Sequence, residues 1–264
     1  MLCKADAEQE QGAAASGRNI KLILAYDGTD FLGWQRQGAG RTVQAALENA
    51  LEKIHKKPVA LTGSGRTDTG VHAAGQCANF YTSIQSMEAG RFVPALNSLL
   101  PPDVRVLDAA ETRRDFHARF DARLRTYRYY FVTRREAPPW ELRYAWHLRR
   151  RPDIARLNEY ARLFRGEMDC SAFAVPTDKS KSRSRYISRA SFFIEGDRLV
   201  FEISANAFLW KMVRSIVGTF LRCEEKGFES DRLWEIIESR DWNLSGPIAP
   251  AEGLFLWKID YYRE

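Results

Sequence analysis

Long apolar runs are missing from this chain. Nowhere in its 264 residues do about 18 apolar residues follow one another, as a membrane-crossing helix requires. Residues 1–19 are rich in Ala, Gln, Glu and Gly and lack the apolar centre of a signal peptide. They are expected to form a disordered N-terminal extension outside the fold. Cysteine is scarce, and Cys3, Cys77, Cys170 and Cys223 include no Cys-x-x-Cys pair. That argues for a reducing, cytoplasmic setting and against a structural zinc. His55, His72, His117 and His147 are isolated, without the spacing of a metal-binding helix, so no metal is expected.

Several catalytic signatures are absent too. Gly65 and Gly70 have the glycine spacing of a phosphate-binding P-loop, but Val71-His72 follow in place of Lys-Ser/Thr, which removes the phosphate-reaching cation and the metal-binding hydroxyl. Asp68 stands where the third glycine of a dinucleotide fingerprint belongs. The deaminase pattern His-x-Glu with Pro-Cys-x-x-Cys does not occur, nor does a Gly-x-Ser-x-Gly elbow.

What is present points to a folded protein with a polyanionic partner. Hydrophobic residues make up 45% of the chain and aromatic ones 12%, as in globular domains. Charge is unevenly spread. Between Arg113 and Arg151 lie twelve arginines, no lysine and four acids, a local balance of +8 within a chain of net charge +6. Such a block is commonly a solvated face. Here it is interleaved with Tyr127, Tyr129, Tyr130 and Phe131; arginine grips phosphate in a fixed fork and aromatic rings stack on bases. Nucleic acid is therefore the expected partner, and a non-catalytic RNA-binding module using this basic surface is the rival to an enzyme.

Periodicity predicts the elements. Ile20–Tyr26 reads as a strand. Thr42 caps a helix whose apolar residues run from Val43 to Ile54. Short strands follow at Val59–Thr62 and Gln76–Thr82, then a helix over Phe92–Leu100 and a strand at Val104–Leu107. This is the order of a split β-α-β, ferredoxin-like unit. The second half repeats it, with strands at Leu124–Val132, Tyr186–Ile194, Leu199–Ser204 and Leu254–Ile259. Its helices are expected between Pro152 and Gly166, over Ala207–Arg222 and over Asp231–Ser239, with a mobile basic loop at Pro176–Arg185. The fold class is α+β: two ferredoxin-like halves, residues 20–112 and 113–264, forming a long, mostly antiparallel sheet with a central cleft and helices on one face.

The candidate site lies in the loop Gly63-Ser64-Gly65-Arg66-Thr67-Asp68-Thr69-Gly70-Val71-His72. Asp68 reads either as a turn residue bonded to its own backbone or as a catalytic carboxylate. A cation would keep such a carboxylate ionised in a cleft. Arg214 offers one, set off the buried face of its helix beside Trp210 and Leu221. Tyr127 is either a core tyrosine or a ring stacked on a flipped base.

Taken together, Tyr26-Asp27-Gly28, Gly33-Trp34-Gln35-Arg36-Gln37, Gly65–His72, Asp115–Phe120, Tyr127-Arg128-Tyr129, Asn206-Ala207-Phe208, Met212–Gly218 and Ala249–Leu254 resemble the tRNA pseudouridine synthase A (TruA) family, in the family's own order. The resemblance implies isomerisation of uridine to pseudouridine at positions 38, 39 and 40 of the tRNA anticodon arm, by a homodimer and with no cofactor. It implies that Asp68 is the catalytic aspartate and nucleophile; attack on the sugar, attack on the base and removal of a sugar proton all remain open to it. Tyr127 is then the residue that packs on the target base, and Arg214 the partner of Asp68. Arg66, Arg36 and Arg119 are candidate RNA contacts. An enzyme acting on another RNA uridine is the alternative of the same class.

Overall fold

Alternation of branched residues makes strand β1 (Arg18–Tyr26), with Ile20, Leu22, Leu24 and Tyr26 turned inward. The computed structural model describes residues 17–38 and 40–261; most of the expected extension lies outside them. β1 starts two residues before Ile20 because Asn19 is bound into the fold. Its buried amide donates to the carbonyls of Arg113 at 3.2 Å and Phe116 at 2.8 Å, and its Oδ1 accepts from Asn79 at 3.0 Å.

The chain divides into two compact units. One holds the residues up to Arg123 and those from Lys258 onward; the other is Leu124–Trp257. In the first, the Thr42 hydroxyl accepts the Ala45 amide and starts helix α1 (Val43–His55), which buries Val43, Leu47, Ala50 and Leu51. Strand β2 (Thr62–Gly63) is brief, and β3 (His72–Thr82) starts four residues earlier than expected, since Ala73 already pairs with Tyr26. Helix α2 (Phe92–Asn97) ends before Leu100, and the Asn97 side chain bonds both backbone groups of Val106 at 2.9 Å. Val106 lies in β4 (Val104–Thr112). The antiparallel order β4-β1-β3-β2 is that of a ferredoxin-like unit.

In the second unit, β5 (Ala122–Val132, in this unit from Leu124), β7 (Gly166–Asp169), β8 (Ser184–Glu195) and β9 (Arg198–Ala205) pair antiparallel in the order β5-β9-β8-β7. The first four residues of β10 (Leu254–Tyr261) belong to this unit, beside β5, where the Tyr130 amide donates to the Gly253 carbonyl at 2.8 Å. The rest of β10 belongs to the first unit, and there Ile259 and Tyr261 pack on Cys77, Phe116 and Ala118. Three short elements went unforeseen: strand β7, helix α3 (Pro139–Leu142) and strand β6 (Trp146–His147), which lies parallel to β5. Helix α4 (Ile154–Arg162) is capped by Asp153, which accepts the amides of Ala155 and Arg156. Helix α5 (Met212–Glu225) and helix α6 (Ser230–Ser239) complete the unit.

One boundary needs correcting. Residues Ala207–Lys211 are not helical; Lys211 takes φ +60°, a left-handed angle that starts α5 only at Met212. Within the unit, Phe192, Phe201 and Phe220 meet at ring distances of 4.6 to 5.9 Å and anchor the core between strands and α5. Cys77, Cys170 and Cys223 are buried and free. Burial pushes the thiol of Cys77 up to about 11 and that of Cys170 up to about 12, and it raises Cys223 too. The ten strands among the described residues are mostly antiparallel, and the protein is of the expected α+β class.

Candidate functional site

In the first unit Asp68 stands on a turn that neighbouring backbone holds in place. The Asp68 carbonyl accepts the Val71 amide at 3.1 Å, and Gly70, third in that turn, takes φ +77°, as a type II turn requires. The segment before α1 supports the turn: the Trp34 amide donates to the Thr67 carbonyl at 3.1 Å and the Gly70 amide to the Phe31 carbonyl at 3.3 Å. Gly33 is what permits this approach. Its φ is +99°, and a Cβ there would lie 2.4 Å from the Thr67 carbonyl oxygen.

Side chains lock the same loop from the sheet. The hydroxyls of Tyr26 and Thr67 lie 2.8 Å apart, and Ser64 Oγ donates to Gln76 Oε1 at 2.6 Å while Gln76 Nε2 donates to the Gly65 carbonyl at 2.8 Å. His72 is wholly buried, with Nδ1 3.0 Å from the Gly28 amide and 3.2 Å from Asp27 Oδ1. The Tyr26-Asp27-Gly28 and Gly70-Val71-His72 motifs are thus two sides of one joint. Asp68 itself is half-buried, presented by a loop whose backbone freedom is spent.

The second unit places Tyr127 and Arg214. Tyr127 lies in β5 opposite Ile203, half-buried, with its ring edge-on to Phe208 at 5.0 Å and 85°. Its neighbour on the same face, Tyr129, is a core residue whose hydroxyl donates to the Pro250 carbonyl at 2.8 Å. Burial raises the Tyr129 pKa first and the Glu252 carboxylate raises it further, while Arg214 opposes them. Arg214 is half-buried on the first turn of α5. Its Nε donates to the Ala249 carbonyl at 2.7 Å, and the Ala249 amide returns to the Arg214 carbonyl at 3.1 Å. The guanidinium is held at both ends of its own residue, so its direction is fixed.

The three arginines proposed for RNA differ. Arg66 is exposed, yet partial burial of its guanidinium lowers its pKa, and the positive charge of Arg119 lowers it again. The two guanidinium groups therefore concentrate positive charge at one place in the first unit. Beside them Phe120 is 74% exposed and stacked on His117 at 4.2 Å. Arg36, by contrast, is exposed and pairs at 3.3 Å with Glu48, whose side chain is largely buried. Among the described residues no group of three or more His, Cys, Asp or Glu side chains is placed to share a metal ion, and no helix is long and apolar enough to cross a membrane.

Reading the residues did not find the supports of the site. Gln76 and Asn79 had a signal: both are polar at inward positions of β3. The carbonyls of Ala249 and Pro250 had none, because backbone oxygens are common to all residues.

Comparison with known proteins agrees with these motifs. The chain is 56% identical to a tRNA pseudouridine synthase A of Treponema denticola over 92% of its own length and 93% of the relative. It is 49% identical to the protein of that name from Treponema pallidum (strain Nichols), over 87% of this chain and 84% of that one. With the Halalkalibacterium halodurans protein it shares 41% identity over 90% of each. A family model described as tRNA pseudouridine synthase matches residues 22–121 and 160–262. Both the Asp68 loop and the Arg214 helix fall inside those limits. The chain belongs to the tRNA pseudouridine synthase family.

Proposed function

We propose that this protein isomerises uridine to pseudouridine in tRNA, at positions 38, 39 and 40 of the anticodon arm. The observation that carries the reading is the Asp68 carboxylate on a backbone-clamped loop, in a chain with close relatives named tRNA pseudouridine synthase A. The reaction breaks the C1′–N1 bond, turns the base and joins C1′ to C5. The C5 proton leaves and N1 takes one up, so no electrons are exchanged. A fixed carboxylate suits it. Asp68 is the catalytic residue, Tyr127 packs against the target base, and Arg214 is the residue that supports the catalytic aspartate. Arg66 and Arg119 bracket a backbone phosphate.

The protein works in the cytoplasm, as a homodimer. On the strand face of the second unit Phe193, Phe255 and Trp257 are only half-buried, an apolar surface that supports a second copy there. A solution mass equal to one chain would count against it.

The test of function is a map of pseudouridines in tRNA from cells with and without the protein. Loss at 38 to 40 supports the proposal; loss at other uridines moves the target; an unchanged map leaves an RNA-binding module. tRNA affinity is expected to fall steeply with salt. Replacing Arg66 and Arg119 by Ala is expected to lower the slope of log affinity against log salt by about one for each arginine. A slope unchanged in the double variant would remove both from the interface.

A further inference from the structure

Two residues beyond Phe208, Trp210 leaves 46% of its surface exposed, and the Lys211 ammonium lies 4.6 Å from its ring centroid. The left-handed backbone of Lys211 turns that side chain back over the indole. The backbone of Trp210 is tied to another segment of the same unit. Asp178 Oδ2 accepts the Trp210 amide at 2.6 Å, while Asp178 Oδ1 accepts the Ser180 amide at 2.8 Å. Asp178 is the one acid in 176–185, against the cations Lys179, Lys181, Arg183 and Arg185. Its charge is taken up by these bonds and by Arg183 at 3.4 Å.

The four cations divide. Arg183 donates to the Asp178 carbonyl at 3.0 Å, and Arg185 to the carbonyls of Ser182 and Ser184 at 2.9 and 2.6 Å. Both arginines therefore shape the loop. Lys179 and Lys181 are exposed and make no ion pair among the described residues. Asp178 thus fastens two outward lysines beside an exposed indole that already carries a third. The sequence pattern suggests a mobile loop at Pro176–Arg185; its contacts describe an anchored one.

We propose that Trp210, with Lys211, Lys179 and Lys181, forms a second nucleotide-binding site, in which an unpaired base stacks on the indole and the lysines hold the adjoining phosphates. Stacking on an aromatic ring accepts any base, and ammonium groups hold phosphate as point charges without demanding one geometry. The site therefore grips single-stranded RNA and does not read its sequence. Phe208, two residues before Trp210, touches Tyr127, so the nucleotide bound here is a close neighbour of the one meeting Tyr127. This rests on the reading of tRNA as the ligand and adds a foothold to it.

The experiment compares tRNA affinity of the full chain with that of Trp210→Ala, Trp210→Phe and the pair Lys179→Gln with Lys181→Gln. Trp210→Ala is expected to bind about tenfold more weakly, with the loss carried by KM, and Trp210→Phe to restore most of it. The lysine pair is expected to reduce the salt slope by about two. A photoreactive benzoylphenylalanine at position 210 is expected to cross-link to an unpaired nucleotide. If the parent chain makes pseudouridine and Trp210→Ala binds tRNA with unchanged affinity, the site is overturned and the proposed function stands. If the parent binds no tRNA, both fall. Cross-linking to protein instead of tRNA also overturns the site.

Discussion

Asp68→Asn is expected to give a folded protein that still binds tRNA and forms no measurable pseudouridine. Asparagine keeps the shape of the side chain and removes its negative charge. The loop that carries it is held through backbone groups, the carbonyls of Thr67 and Asp68 and the amide of Gly70, and the substitution touches none of these. The melting temperature should therefore stay within about 4 °C of the parent. The rate should fall by more than about a thousandfold, because neither nucleophilic attack nor proton removal is open to a neutral amide. Single-turnover conversion of tRNA, with binding measured on the same samples, separates the two effects. Appreciable turnover by this variant would refute the assignment of Asp68.

Gly218→Ala is expected to damage both stability and activity, although Gly218 lies a full turn of α5 from Arg214. A Cβ at 218 would fall 1.7 Å from the carbonyl oxygen of Pro247. Both atoms are tied to backbone, so no side chain can rotate away. The crossing segment cannot lift without cost: the Gly246 amide donates to Thr219 Oγ1 at 2.8 Å, and Arg222 donates to the Ser245 carbonyl at 2.8 Å. Overpacking of this kind costs about 1–3 kcal/mol or more, which lowers the melting temperature by several degrees. The displaced segment also carries Ala249 and Pro250, whose carbonyls hold Arg214 and Tyr129. Activity should therefore drop further than the folded fraction does. A Gly218→Ala variant with parental melting and parental rates would show that the segment yields freely.

The parts of this molecule that were legible beforehand are those with a period. β1 alternates and α1 repeats every three to four residues, and both form where expected, to within two residues. The Asp68 loop was legible because two of its glycines answer to geometry: Gly70 takes φ +77°, and a Cβ at Gly63 would lie 2.5 Å from the Trp34 ring. The start of α5 was not, since the apolar spacing of Leu209 runs straight into the helix while the backbone turns left-handed at Lys211. Nor was the hold on Arg214, which reaches an oxygen 35 residues further along the chain. β6 offered two residues of pattern and Asn19 a single polar side chain, too little for any periodic signal.

The buried thiols make this chain its own reporter of local opening. Only a thiolate reacts quickly with iodoacetamide or maleimide, and Cys77, Cys170 and Cys223 are both covered and raised in pKa. With Cys3 replaced by Ser, labelling of the native protein must wait for each site to open. Cys77 lies in one compact unit and the other two thiols in the second. Their separate rates, read by mass spectrometry of the peptides, therefore time the breathing of each unit. Adding tRNA to the same experiment shows which unit the substrate stills.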